Sequence, residues 1–246
     1  MDSISRYREI DCVRGIAILM MVLFHTLFDI SFFGMYPVDV SQGFWRYFAF
    51  ATASLFLVVV GISLTISRSR IPPQVSPFQV CLKFLKRGVF IFFLGLLITL
   101  CTWLYLHEGF IVFGILHLIG VSVILSPLFF RFKKRNIVVG VLCILTGYIL
   151  SSIHGPLWLL PFGIHPADFW SVDYEPLFPW FGVVLIGMGL GAYLYPDGVR
   201  RFSPLQKPEI ITQPLAFLGR HSLLIYLVHQ PLIILLLAAL TGIPVF

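Results

Sequence analysis

Four ionisable side chains stand on one apolar stretch near the N-terminus. In DCVRGIAILMMVLFHTLFD, residues 11–29, Asp11 and Arg14 open the run and His25 and Asp29 close it. Asp11 and Arg14 are three apart and His25 and Asp29 four apart, so on a helix each pair shares a face. Ionisable groups in such a stretch are costly and face a bundle interior or a water-filled cavity. A rise of 1.5 Å per residue puts His25 roughly 16 Å beyond Arg14. Arginine suits phosphate contacts. A neutral imidazole suits proton abstraction, and a carboxylate one turn away can orient it and favour its imidazolium. A proton relay is a second reading of the same groups. A metal site at His25, Asp29 and His117 is a third; it needs three or four converging ligands, and the chain has no HxxxH or HExxH, so no metal is expected. Taken alone, His25 also fits a buried histidine bonded to a backbone carbonyl. Four polar groups on one span weigh against that.

The element that must carry these groups is a membrane helix. The chain has 246 residues, 59% hydrophobic and 11% charged, with a mean hydropathy of +0.96. Soluble domains carry about 25% charged residues. Apolar runs near 20 residues argue for helices over a β-barrel. The expectation is an all-α, polytopic helix bundle of about seven spans, at 10–33, 44–66, 88–106, 110–130, 136–153, 178–195 and 221–240, in one domain over residues 1–246. Arg6 and Arg8 before an apolar run resemble a signal peptide, but the run holds His25 and Asp29 and lacks a small-residue cleavage site, so it is read as a retained span. The cysteines at 12, 81, 101 and 143 are scattered and read as small apolar residues.

Charge sets the expected orientation. Sixteen of the seventeen Lys and Arg fall on one side of this layout and only Arg46 on the other. The positive-inside rule then puts the N-terminus in the cytoplasm and the C-terminus outside, in the cell membrane. The basic clusters at 83–87 and 131–135 are therefore topology signals. Their loops are short and lack interleaved stacking aromatics, so nucleic acid is not an expected partner. The longest outer connection, 154–177, holds Trp158, Trp170, His154, His165, Asp168, Asp173 and Glu175 among four prolines, which forbid one continuous helix. It reads as an interfacial or re-entrant segment. Gly187 and Gly191 in the sixth span form a GxxxG pair for a close helix contact, within the chain or across a homodimer. In the seventh span, Pro231 follows His229 and Gln230. His229 either satisfies a local backbone defect or lines the cavity. Residues 213–220 read as a short interfacial piece.

IDCVRGIAILMMVLFH resembles the opening span of the transmembrane acyltransferase superfamily, most closely the branch of heparan-alpha-glucosaminide N-acetyltransferase and its prokaryotic relatives. FGILHLIGVSVILS, DYEPLFPWFGVVLIGMGLG and LGRHSLLIYLVHQP are similar to the same prokaryotic branch. The resemblance implies an enzyme that takes acetyl-CoA from the cytoplasm and passes the acetyl group to an amine or hydroxyl, often of a glycan, on the far side. Integral-membrane O-acyltransferases of the superfamily have Arg and His in the first span with ten residues between, a spacing Arg14 and His25 match. Where the eukaryotic N-acetyltransferases have Asn, this chain has His25, and its first outer loop, 34–43, lacks the histidine proposed there to carry the acetyl group. Direct transfer fits better than an acetyl-histidine intermediate.

The expected arrangement is a tunnel among the helices. Arg14, with Asp11 beside it and Arg87 or Arg220 in support, holds the nucleotide end of acetyl-CoA. His25 acts as base, Asp29 orients it, and His117 or His229 donates to the oxyanion. Two rival classes are a proton-coupled small-solute transporter using His25, Asp29 and His229, which the lack of an internal repeat weakens, and a non-catalytic membrane scaffold or sensor.

Overall fold

The computed structural model describes residues 6–203 and 208–242. Lys207, counted above with the cytoplasmic cations, lies outside the described residues. Their regular structure is helical: α1 (Arg8–Phe32), α2 (Gly43–Ser69), α3 (Pro77–Leu106), α4 (Ile115–Phe129), α5 (Asn136–Leu150), α6 (Leu177–Leu194), α7 (Glu209–Arg220) and α8 (Ser222–Thr241). Local chemistry explains several boundaries. Ser76 accepts the Gln79 N–H at 3.3 Å ahead of Pro77, which fits the first turn of α3. α8 stops at Gly242, whose φ of 67° closes a helix at no steric cost.

Among the described residues, six helices are long and apolar enough to cross a membrane, Ile115–Leu150 counting as one. The expectation was about seven, with separate spans at 110–130 and 136–153. That stretch is not one regular helix. It runs as α4, a 3-10 segment at Phe130–Arg135, and α5, and at Lys133 the backbone leaves helical geometry with φ 47° and ψ −123°. α4 and α5 have 15 residues each, fewer than the ~20 of a typical span. α4 starts at Ile115, not at 110, because 109–113 is laced to 171–175 instead: Val172 N–H donates to the Gly109 carbonyl at 2.9 Å and Glu175 N–H to the Phe113 carbonyl at 2.9 Å.

The chain divides into two compact units, Met1–Phe56 with Pro204–Phe246, and Leu57–Ser203. In the first, α1 packs on α7 and α8. A Cβ added at Gly15 would overlap the Leu215 carbonyl, and one at Gly219 would overlap the Asp11 carbonyl, so α1 and α7 meet backbone to backbone. α7 is the short piece expected before the last span, begun four residues earlier. In the second unit α3 pairs with α4 and α5 with α6. Gly140 and Gly182 face each other, each leaving 2.5 Å between a notional Cβ and the other's carbonyl. The GxxxG pair of α6 lies on α2, with Gly187 on Val58 and Gly191 on Ile62. That glycine face is filled within the chain and is not a bare surface for a homodimer.

Candidate active site

His25 and Asp29 of α1 meet α8 inside the first unit. His25 and His229 form one cross-helix rung: His25 Nδ1 and His229 Nε2 are 2.8 Å apart. His229 is 7% exposed, and its Nδ1 lies 2.7 Å from the Tyr226 carbonyl. A carbonyl only accepts, so His229 Nδ1 carries the proton. In the neutral ring Nε2 then accepts, and His25 Nδ1–H must donate to it. The chain carbonyl–His229–His25 therefore leaves His25 Nε2 as a bare lone pair. An imidazole oriented through one nitrogen, with a lone pair on the other, has the chemistry a general base needs. When it takes a proton, its bond to His229 becomes charge-assisted and stronger. Of the two readings of His229, the backbone contact is seen, and the same ring also meets His25.

One turn further along α1 lies a second rung. Gln230 Nε2 donates to Asp29 Oδ1 at 2.6 Å. The expectation that Asp29 orients His25 is corrected here. The i,i+4 spacing puts both on one face, but α8 supplies each with its own partner across the interface. Gln230 was not singled out as a site residue; its signal was an amide beside His229 in an otherwise apolar run.

At the other end of α1, Asp11 is 4% exposed and its carboxylate sits between Arg14 (3.1 Å) and Arg6 (3.0 Å). Arg14 Nη1 also donates to the Gly219 carbonyl at 3.5 Å. Arg14 is thus tied to the α1–α7 junction, with Asp11 holding its guanidinium. Arg220, the last residue of α7, is exposed.

The remaining candidates belong to the second unit. Arg87 is exposed on α3. His117 is 1% exposed. Its Nδ1 accepts the Gly114 N–H at 3.2 Å, so its Nε2 carries the proton and donates to Thr99 Oγ1 at 3.4 Å. It closes the first turn of α4, with Phe113 stacked at 5.5 Å. Both nitrogens are engaged, which leaves no donor for an oxyanion. The acids before α6 are partly enclosed. Asp173 Oδ2 accepts the Ile115 N–H at 3.4 Å. Burial pushes its pKa up to about 6 against the pull of that bond. Burial, then the charge of Asp173, pushes Glu175 well up. Among the described residues no group of three or more His, Cys, Asp and Glu is placed to hold a metal ion.

Residues 6–231 match the family described as heparan-alpha-glucosaminide N-acetyltransferase, catalytic. The chain belongs to that family. The match covers both rungs of the α1–α8 interface and the α1–α7 junction. Comparison with curated proteins and with solved structures finds no match. A member of the heparan-alpha-glucosaminide N-acetyltransferase family with these apolar helices is a multi-pass membrane acetyltransferase.

Proposed function

We propose that this protein transfers an acetyl group from cytoplasmic acetyl-CoA to an amine or hydroxyl of a sugar on the outer side of the cell membrane, with His25 as general base. The observation that carries this reading is the run of contacts from the Tyr226 carbonyl through His229 to His25, which with neutral rings leaves the lone pair on His25 Nε2. The nucleotide end of acetyl-CoA lies at the Arg14 end of α1, where arginines gather around Asp11. Its pantetheine arm runs along α1 toward His25. The acceptor's N–H or O–H proton passes to His25 Nε2 as its nitrogen or oxygen attacks the acetyl carbonyl carbon. The C–S bond then breaks, and the thiolate of coenzyme A takes the proton from His25. Only the acetyl group changes sides.

The family match supports the acetyl donor. A proton-coupled transporter would use the same histidines, but it gives no role to the cations at Asp11. The test is thermal unfolding of purified protein with CoA, acetyl-CoA or neither. A ligand at 100 times its Kd stabilises by about 2.7 kcal/mol. We expect that rise for the native protein and its loss in Arg14→Lys, which keeps the charge but not the forked donor geometry. Absence of any rise overturns the coenzyme assignment.

A further inference from the structure

The Asp29–Gln230 rung has acceptor atoms left over. Asp29 is 2% exposed, and one of its oxygens is taken by the Gln230 amide. Its other oxygen, Oδ2, and Gln230 Oε1 are both buried with no hydrogen-bond partner. Buried polar atoms of this kind are rare in native proteins and call for a cause. No cation supplies one: the ion pairs among the described residues join Arg6 and Arg14 to Asp11 and Arg8 to Glu209. With Asp29 ionised, both leftover atoms accept and neither donates. His25 and Asp29 share a face of α1 one turn apart, and His229 and Gln230 are neighbours on α8. Two unsatisfied oxygens therefore sit one helical turn from the base, on the same interface.

We propose that Asp29 Oδ2 and Gln230 Oε1 form the subsite for the molecule that receives the acetyl group. They accept hydrogen bonds from its N–H and O–H groups and hold its nucleophile beside His25 Nε2. The ligand class is a small polar molecule carrying several donors on adjacent atoms, as an aminosugar or polyol does. An acceptor with the same nucleophile but no neighbouring donors leaves the buried oxygens unsatisfied and is rejected, as sites built around hydrogen bonds reject analogues that lack them. This assignment rests on the acetyl-transfer reading and adds to it which residues choose the acceptor.

The test measures acetyl transfer from acetyl-CoA to two probes, glucosamine and cyclohexylamine. Both present an amine on a six-membered ring, and only the first carries hydroxyls beside it. The native protein is expected to favour glucosamine in kcat/KM by at least tenfold. Asp29→Asn, which puts a donor among donors, and Gln230→Leu, which removes an acceptor, should each shrink that preference, chiefly by raising KM for glucosamine. Thermal unfolding checks that each variant is folded, and Gln230→Leu serves if Asp29→Asn is not. If neither folds, the preference of the native protein decides alone. Transfer to neither probe would overturn the acetyl-transfer reading and the subsite with it. Transfer to both with equal kcat/KM, or a preference undiminished in both variants, would overturn the subsite and leave the reading standing.

Discussion

His25 was legible in the sequence as an imidazole on an apolar helix, but its partner was not. His229 lies 204 residues away, and no spacing rule reaches that far. Helical periodicity offered Asp29 instead, because a shared face is visible in sequence while the side chains of a neighbouring helix are not. The distinction has kinetic consequences. General base catalysis contributes on the order of 10²- to 10⁴-fold, so His25→Ala should lower kcat by about that factor while CoA still stabilises the protein. With His25 as the proposed base, His229 would act through it, as the groups behind metal-bound histidines do, where loss costs about 10- to 100-fold. His229→Phe should lower kcat within that range and displace the pH–rate profile. His229→Gln keeps a carbonyl that accepts the His25 Nδ1–H and should recover most of the rate. Equal loss in both variants would make His229 a packing residue.

At the scale of elements, the helices followed from apolar runs, and their close contacts from glycines. The α2–α6 contact at Gly187 and Gly191 was readable as GxxxG. The α1–α7 junction was not, because Gly15 and Gly219 fit no single-helix motif and gain meaning only against each other. Gly219→Val would drive a side chain into the Asp11 carbonyl. Overpacking of this kind costs about 1–3 kcal/mol, and the same change moves the carbonyl that Arg14 holds; thermal unfolding reads the loss. The segment before α6 gives a pH dependence. The Asp173 pKa is raised from 3.8 to about 6 in the folded chain. Its contribution to stability is therefore full below pH ~4 and is lost as pH rises through about 6. Glu175, raised further by the Asp173 charge, extends the loss upward. Asp173→Asn keeps an acceptor for the Ile115 N–H without the buried charge. It should be more stable than the native protein at pH 7.5, on the order of 2 kcal/mol, with little difference at pH 4. A variant less stable at pH 7.5 would mean that the ionised carboxylate is held by something stronger than one backbone N–H.

For the whole molecule, the bundle class was readable from composition and the length of the apolar runs, and the count of passes was the weak point. Length makes Ile115–Leu150 one helix, yet it carries Arg131, Lys133, Lys134 and Arg135 in its middle. Four cations at the centre of a span would be very costly, and the break at Lys133 gives them a turn in which to reach water. The account therefore places residues 131–135 on the cytoplasmic side and Asp168 on the outer side. In a protein stripped of its four cysteines, Lys134→Cys should react with an impermeant thiol reagent only from the cytoplasm, and Asp168→Cys only from outside. Labelling from the same side would contradict the proposed topology. Function rests on one claim above the others: that His25 moves the acceptor's proton during acetyl transfer. The most direct measurement is coenzyme A release from acetyl-CoA by purified protein in lipid nanodiscs, with glucosamine as acceptor, for the native chain and His25→Ala. The account predicts acceptor-dependent release that falls at least a hundredfold in the variant. Acceptor-dependent release at an undiminished rate in His25→Ala would contradict it.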